Sequence, residues 1–300
     1  MHGGIIWLAS YPKSGNTWLR AFLTSFRRND DQPVDINALA GGPIASARDI
    51  FDESVGVKAS ELTDEEVEGY RPAVYRHLAA RSSSTLFLKI HDAYTYVEGG
   101  VPLMPAEATC GAVYVLRHPF DVAVSFAHHS QASIDTIIDW MADASFALAK
   151  TRCRLHLQLR QKLLSWSGHV VSWVDAPGLR VHVVRYEDMQ QRPLDTFLGI
   201  VRFAGLPDDP ERVCRALACC SFARLQQQEQ AHGFRERPPG ASAFFRTGQV
   251  GSWRAVLTEA QVARIVGDHA SVMRRFGYLA EMTTRGDGKG KACARPLAST

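Results

Sequence analysis

The sequence lacks any apolar run that approaches the roughly 18 residues of a membrane-spanning helix. Its first apolar stretch, Ile5–Ala9, is short and is followed by Pro12 and Lys13. The basic region and longer apolar core of a secretory signal are therefore missing as well. We expect a cytoplasmic protein that has no membrane partner.

The six cysteines also lack the spacing that disulfide-rich or metal-binding domains use. No two of them form a C-x-x-C pair, and Cys219 and Cys220 are adjacent within a pattern that favours a helix. Disulfide frameworks are typical of secreted proteins, and zinc sites need paired cysteine or histidine ligands. We therefore expect reduced cysteines and no bound metal.

A strong charge of one sign is absent too, because the formal net charge of the 300 residues is only +3. The Lys and Arg residues are not clustered, which argues against a nucleic-acid partner and favours an anionic ligand in one pocket. A hydrophobic content of 46% allows a large core. We expect one domain over residues 1–282 and a disordered tail over residues 283–300, which are poor in apolar residues.

Short apolar segments alternate with amphipathic ones, and this alternation predicts an α/β fold with a central parallel sheet flanked by helices. Four segments are predicted as strands: residues 5–9, 84–90, 111–116 and 179–185. The predicted helices include residues 18–26, a long region over 136–175 with a break near Thr151, and residues 258–276. Two segments with weak periodicity are expected to form loops: residues 32–60 and 231–252.

The first predicted strand leads directly into a loop that fits an anion. Residues 11–18, Tyr-Pro-Lys-Ser-Gly-Asn-Thr-Trp, place Lys13 between a buried strand and the start of a helix. Backbone N–H groups of such a loop and the positive end of the helix dipole attract phosphate or sulfate. In an alternative interpretation, Lys13 is solvated and Asn16 merely caps the helix. The loop is not a Walker A motif, because Lys13 precedes Gly15.

Polar side chains follow all four predicted strands. These residues are Lys13, His91, Arg117 and Tyr186. Ligands of parallel α/β sheets bind at the carboxyl ends of the strands. We therefore expect the four side chains to converge on one crevice.

Arg117 and Ser125 suggest a phosphate clamp after the third strand. Ser125 lies about two helical turns beyond Arg117, and a guanidinium paired with a hydroxyl suits a phosphate. In the alternative interpretation, Arg117 pairs with Asp121 or a neighbouring acid, and Ser125 is a small packing residue. His128 and His129, on the same predicted helix, are expected to be exposed or to line the pocket and receive no role.

His91, at the end of the second strand, has the chemistry of a proton acceptor. An imidazole has a pKa near neutrality and can take a proton from an attacking hydroxyl. Lys89 precedes it by two residues, so both side chains share one face of the strand, whereas Ile90 faces away.

Together these segments resemble the motifs of sulfotransferases that use 3′-phosphoadenosine 5′-phosphosulfate (PAPS). Residues 11–18 resemble the family's 5′-phosphosulfate loop, and Arg117 with Ser125 resembles its 3′-phosphate motif. The resemblance implies a single α/β domain with a P-loop-like strand-loop-helix that binds the phosphosulfate. The loop residues that it implies for this role are Lys13, Ser14, Gly15, Asn16, Thr17 and Trp18.

Three further segments resemble the same family. The segment Leu88–His91 is similar to a Lys-Thr-His motif with Ile90 in place of Thr, which implies catalytic roles for His91, Lys89 and Lys13. The remaining residues implied to bind the nucleotide are Tyr186, Phe222, Phe245, Arg246, Thr247 and Gly248. Thr247 replaces a family Lys, which predicts weaker phosphate binding. The family's dimer motif is poorly matched by residues 254–263, so we expect any homodimer to use another interface.

The resemblance implies in-line transfer of a sulfuryl group from PAPS to a hydroxyl or amine of a small-molecule acceptor. His91 would act as general base, adenosine 3′,5′-bisphosphate (PAP) would leave, and no metal would be needed. Aromatic residues near the expected pocket suggest a phenol, an alcohol or a glycosylated natural product as acceptor. These residues are Phe51, Tyr70, Tyr75, Tyr94, Tyr96, Phe234 and Phe244.

Two other functions stay open from the residues alone. A Mg-dependent nucleotide kinase would use the same loop-helix physics, with Glu187 and Asp188 as metal ligands at a strand end. The second open function is that of a non-catalytic nucleotide-binding module. Metal dependence would identify the kinase, and turnover of PAPS would exclude the binding module.

Overall fold

The structure is a computed structural model that describes residues 4–150 and 156–280. In these ranges the strands are β1 (Ile5–Ala9), β2 (Leu86–Ile90), β3 (Thr109–Leu116), β4 (Ala147–Leu148), β5 (Gln161–Lys162) and β6 (Val181–Arg185). The α-helices are α1 (Asn16–Arg28), α2 (Arg48–Val55), α3 (Asp64–Arg81), α4 (Pro119–Ser130), α5 (Ile134–Ala142), α6 (Trp166–Val174), α7 (Tyr186–Gln191), α8 (Pro193–Phe203), α9 (Pro210–Cys219), α10 (Phe222–His232) and α11 (Glu259–Arg275). The expected tail and the expected break near Thr151 lie outside the described residues.

Four strands form one parallel sheet in the order β2-β1-β3-β6. Ile6 of β1 pairs with Phe87 on one side and with Gly111 on the other. Ala112 of β3 pairs with Val181 of β6. The predicted α/β fold with a central parallel sheet and flanking helices is therefore confirmed. All four carboxyl ends meet at the same edge of the sheet.

β1 is apolar throughout because helices cover both faces of the sheet. Trp7 faces one side and packs edge-to-face on Tyr75 of α3, with ring centroids 5.0 Å apart. Leu8 faces the other side, in a cluster with Phe22 of α1 and Phe197 of α8. Alternate residues of a strand point to opposite faces, so a central strand covered on both sides needs apolar residues at every position.

The predicted long helical region over residues 136–175 is wrong. α5 ends at Ala142, and Asp143 accepts hydrogen bonds from the backbone N–H and the hydroxyl of Ser145, at 2.7 and 2.8 Å. The short strands β4 and β5 then pair antiparallel. α6 begins after Ser165, whose hydroxyl accepts from the N–H of Gly168 at 3.0 Å. These local polar turns and caps overrode the apolar periodicity on which the prediction rested.

The expected loop over residues 32–60 contains the helix α2, which the weak periodicity did not predict. The chain just before α2 lies along β2, where the N–H of Ala45 donates to the carbonyl of Lys89 at 2.8 Å. The same segment binds the chain before β5, since the N–H of Leu159 donates to the carbonyl of Ser46 at 2.7 Å. These two segments therefore form a wall beside the end of β2.

Candidate active site

Two residues with positive φ shape the loop between β1 and α1. The φ angles of Lys13 and Gly15 are 67° and 109°. A Cβ atom at residue 15 would lie 2.5 Å from Cδ2 of Tyr186, so only glycine fits there. Gly15 caps α1, and the Asn16 amide instead donates to the carbonyl of Leu8 at 2.7 Å. The interpretation of Asn16 as a mere cap is therefore wrong.

Lys13 extends into the site. Its Nζ lies 3.3 Å from Nδ1 of His129 and 3.9 Å from the centroid of the Phe244 ring. Burial, together with the charges of Lys89 and Arg117, lowers the pKa of Lys13 to about 7. The interpretation in which Lys13 is simply solvated is therefore wrong. An anion bound beside it would raise this pKa again.

Arg117 links the loop after β1 to a distant part of the chain. Its guanidinium donates to the carbonyl of Lys13 at 3.0 Å and to that of Gln249 at 3.2 Å. It also lies over the ring of Tyr186, 4.5 Å from the centroid. The alternative pairing of Arg117 with Asp121 is not formed.

Asp121 instead holds residues 245–253, which we call the C-terminal loop. Its carboxylate accepts from the N–H of Gly251 at 2.7 Å, from the hydroxyl of Ser252 at 3.1 Å and from the N–H of Trp253 at 3.1 Å. A fully satisfied carboxylate at the start of α4 thus fixes where this loop crosses the sheet edge.

The C-terminal loop packs on Tyr186 and α10. The hydroxyl of Tyr186 donates to the carbonyl of Gly248 at 3.0 Å, and the amide of Gln226 donates to that of Phe245 at 3.0 Å. Gly248 has a φ of 59°, and a Cβ atom there would lie 2.4 Å from Cδ2 of Phe222. The motif glycine is therefore required both by its backbone conformation and by the close ring.

His91 follows β2, and one of its two ring nitrogens already forms a hydrogen bond within the protein. Its Nδ1 lies 2.8 Å from the carbonyl oxygen of Ser10. A carbonyl only accepts, so Nδ1 carries the proton and Nε2 is the nitrogen that can take one. Burial and the charge of Lys89 lower the pKa of His91 well below its usual value, so the imidazole is neutral near pH 7. Ile90 is fully buried in the core, as the strand pattern predicts.

A buried ion pair fixes the backbone beside His91. Arg71 of α3 donates to both carboxylate oxygens of Asp92, each at 2.8 Å, and both side chains are 1% exposed. The indole of Trp173 on α6 donates to the carbonyl of Asp92 at 3.0 Å. The segment that carries the candidate base is thus held by two helices.

Lys89 binds a carboxylate that sequence reasoning missed. Its Nζ lies 2.8 Å from Oε2 of Glu236, and Oε1 of Glu236 pairs with Arg20 at 2.5 Å. Although burial opposes ionisation, these two cations lower the pKa of Glu236 to about 2. Glu236 lies in the loop after α10 and belongs to none of the motifs, so no spacing in the sequence connects it with Lys89.

One cavity of about 1110 Å³ gathers the candidate site residues. Those that line it are Lys13, Gly15, Asn16, Thr17, Trp18, Lys89, His91, Arg117, Ser125, Tyr186, Phe222, Phe245, Arg246, Thr247 and Gly248. Ser14 is buried instead, with 1% exposure. The hydroxyl of Ser14 and Nε of Arg117 have no hydrogen-bond partner among the described residues.

Most of the aromatic residues expected around the acceptor are elsewhere. Of the seven, only Phe244 lines the cavity. Phe51 and Tyr75 are buried in the core, and Tyr70 and Tyr96 are each 48% exposed. The cavity wall beyond Lys89 and His91, which we call the acceptor end, is instead lined by Ile44, Arg48, Leu148, Leu157, Gln158 and Gln161.

Within residues 4–150 and 156–280, no group of three or more His, Cys, Asp or Glu side chains is arranged to hold a metal ion. Cys219 and Cys220 both carry free thiols. None of the helices in this part of the chain is long and apolar enough to cross a membrane.

The chain is similar to known sulfotransferases over most of its length. The model of the sulfotransferase domain matches residues 5–277. Flavonol 3-sulfotransferase of Flaveria bidentis is 22% identical over 277 residues, which are 88% of this chain and 80% of the relative. Cytosolic sulfotransferase 10 of Arabidopsis thaliana is 26% identical over 265 residues, or 86% and 74% of the two chains.

Solved structures share the fold. Mouse sulfotransferase SULT7A1 in complex with PAP superposes with a TM-score of 0.59 and 18% identity, over 90% of this chain and 85% of that one. Retinol dehydratase in complex with retinol and PAP superposes with a TM-score of 0.59 and 18% identity, over 91% of this chain and 82% of that one. Because the family model spans nearly all of the described residues, the chain belongs to the sulfotransferase domain family, as the resemblance of its motifs predicts.

Proposed function

We propose that the protein transfers the sulfuryl group of PAPS to a hydroxyl or amine of a small-molecule acceptor and releases PAP. The observation that carries this proposal is the convergence of Lys13, Arg117 and His91 on one cavity from the ends of three neighbouring strands. Two cations and a neutral imidazole in one cavity suit an anionic donor and a proton-bearing nucleophile.

The residues around the loop after β1 fit the donor. The loop N–H groups lie at the start of α1, and Lys13 and Arg117 add cationic charge. Arg117 lines the cavity, and its Nε has no hydrogen-bond partner among the described residues. Thr247 keeps a hydroxyl where the family has a Lys, so we propose weaker binding of the 3′-phosphate. When bound, PAPS supplies the sulfuryl group and a stable leaving group.

His91 is proposed as the general base. Its Nδ1–H is held by the Ser10 carbonyl, which leaves Nε2 to take the proton from the acceptor. As that proton leaves, the acceptor oxygen or nitrogen bonds to sulfur, and the bond between sulfur and the phosphate oxygen opposite breaks. Lys13 stabilises the charge that develops on this leaving oxygen. Lys89 contributes less, because Glu236 already neutralises it.

The acceptor is proposed as a phenol, an alcohol or a glycosylated natural product. Relatives are named for a flavonol and a neighbour is bound to retinol, so both phenols and alcohols occur among similar proteins. The acceptor end mixes apolar residues such as Ile44 and Leu148 with polar ones such as Gln158 and Gln161. We also propose a cytoplasmic location, which the names of the plant relatives support.

Thermal shift with PAP, ADP and Mg-ATP side by side tests the proposal. We expect PAP to stabilise the protein without metal, ADP to stabilise it less and Mg-ATP to add nothing beyond ADP. The variant Arg117→Met should lose the preference of PAP over ADP. Transfer from PAPS to a panel of phenols and alcohols follows by mass spectrometry. A preference for Mg-ATP would overturn the proposal in favour of a kinase, and PAP binding without transfer would indicate a binding module.

A further inference from the structure

His129 lies in the cavity on the helix that carries part of the nucleotide motif. Ser125 and His129 are four residues apart on α4, so they share one face of the helix, and both line the cavity. His128, the next residue, is exposed and does not line the cavity. The two adjacent histidines, which the sequence does not distinguish, therefore have different surroundings.

The contact between His129 and Lys13 fixes the tautomer of the imidazole. Nζ of Lys13 lies 3.3 Å from Nδ1 of His129. Below the pKa of Lys13 its side chain is an ammonium that only donates, so Nδ1 of His129 is then the unprotonated acceptor and the proton lies on Nε2. Burial and the charges of Lys13 and Lys89 lower the pKa of His129 to about 3, so this imidazole is neutral near pH 7.

Lys13 is held by neutral groups alone. Besides His129, its ammonium lies over the ring of Phe244, and no carboxylate of the described residues forms an ion pair with it. Lys89, by contrast, is paired with Glu236 at 2.8 Å. A neutral hydrogen-bond acceptor restricts the position of a lysine without cancelling its charge, whereas a carboxylate does both.

We propose that His129 is a positioning residue for Lys13, which orients the lysine side chain in the cavity without pairing it with a negative charge, so that the anionic donor can raise the pKa of Lys13 and take up its positive charge. The proposal rests on the proposed function, because Lys13 matters only where an anion reacts. A lysine has several rotatable bonds, and its unrestrained side chain would populate many positions outside the reactive one. His129 reduces this freedom before the donor arrives.

Two substitutions separate the acceptor nitrogen from the bulk of the ring. His129→Phe keeps an aromatic ring beside Phe244 and removes the hydrogen-bond acceptor, whereas His129→Gln keeps an acceptor atom. We expect His129→Phe to lower kcat about 10-fold to 100-fold with a smaller change in the KM for PAPS. The kcat of His129→Gln should stay within about 3-fold of the wild-type value. His128→Phe is the matched control, and its kcat should not change.

A double-mutant cycle with Lys13→Met identifies the residue through which His129 acts. In the Lys13→Met background, His129→Phe should have no further effect on kcat, since the group that it positions is gone. An equal loss in both backgrounds would overturn the proposal, and so would a fully active His129→Phe. Far-UV circular dichroism of each variant checks that the fold is intact.

The contact itself can be measured without any transfer. Nitrogen NMR of labelled histidine should show His129 neutral and protonated at Nε2 from about pH 6, where Lys13 is an ammonium, down to about pH 4. The charges that face it are Lys13 and Lys89, which disfavour its protonation, and Glu236, which favours it. In Lys13→Met the pKa of His129 should rise only in part, because burial, the larger cause of its low value, and the charge of Lys89 remain. The Nε2–H preference should be lost in this variant, and an unchanged tautomer would refute the contact. If wild-type protein shows this signature but no transfer, the proposed function fails and the contact stands.

Discussion

The two ends of the cavity are built in different ways. The donor end, as we call it, is formed by the loop after β1, Arg117 and the C-terminal loop. Hydrogen bonds hold its backbone carbonyl groups in place. Lys13 and Arg117 have no carboxylate partner among the described residues. At the acceptor end, side chains of irregular segments line the wall, and the neighbouring Lys89 is neutralised by Glu236.

Under the proposed function, this difference follows from what each end binds. A phosphosulfate has one shape and a fixed negative charge, so its site needs particular backbone conformations, such as those of Gly15 and Gly248. An acceptor needs only a complementary wall beside the base, which many residue combinations provide. The donor end therefore leaves a motif in the sequence, and the acceptor end does not.

The variant His91→Ala separates the two ends most strongly. The imidazole of His91 stands between the donor end and the acceptor end, and removing a general base typically lowers the rate of transfer by ~10²–10⁴. PAP binding should stay nearly intact, since His91 contacts Ser10 and His169 rather than the donor-end residues. Transfer from PAPS and the PAP-induced thermal shift measure the two effects. A parallel loss of transfer and of PAP binding would contradict the role of His91 as base.

The variant Gly248→Ala tests whether the donor end depends on its backbone. The new Cβ atom would lie 2.4 Å from the ring of Phe222, at a φ of 59°. We expect PAP affinity to fall about 10-fold to 100-fold, because strain of roughly 1–3 kcal/mol displaces the loop. Gly205→Ala is the matched control, since it has a φ of 66° and nothing within 4 Å. Equal PAP affinities of the two variants would show that the close ring has no effect.

How much the sequence predicts follows the same division. The parallel sheet and its strand ends are predictable, because doubly covered strands such as β1 must be apolar throughout. The glycines and cations of the donor end are predictable as well, since their chemistry is restrictive. The contacts of Glu236 and His129 cannot be predicted from the sequence, because each joins residues that are more than 100 positions apart in the chain.

The expected placement of aromatic residues around the acceptor was wrong for a related reason. Aromatic residues such as Phe51 and Tyr75 have no feature in the sequence that separates a core ring from a pocket ring, and both are 1% exposed in the core. Burial of a large ring is so favourable that the core is its commonest place. The two short strands β4 and β5 beside the acceptor end were likewise missed, since each has only two residues.

The pH dependence of PAP binding sharpens the description of the donor end. Lys13 has a pKa of about 7 when the site is empty, and a bound anion raises it. Binding therefore takes up protons above pH 7, and PAP affinity should fall as pH rises, by up to about 10-fold per pH unit. The other charges that face Lys13 are those of Lys89, Arg117, Glu229 and Glu236.

Calorimetric titration at pH 8 in two buffers of different ionisation enthalpy measures this proton uptake. Lys13→Met is the control and should bind PAP more weakly, with little dependence on pH between 7 and 9. His91 and His129 are neutral throughout this range and do not contribute, because their pKa values lie well below it. A wild-type affinity that is constant from pH 7 to 9 would contradict the lowered pKa of Lys13.

The variant Glu236→Gln has the smallest expected effect and acts on the boundary between the ends. The amide keeps the shape of the side chain but leaves Lys89 and Arg20 without a counter-charge, so the cavity becomes more positive. PAP affinity should rise about 3-fold at low salt, and the gain should vanish near 1 M salt, where charges are screened over roughly 3 Å. Stability should fall by about 1 kcal/mol, since the nearly buried Arg20 loses its partner.

Glu98→Gln, on the surface, is the control. A weaker binding of PAP by Glu236→Gln would mean that this carboxylate holds Lys89 in place for the donor, and the acceptor end would then share in donor binding.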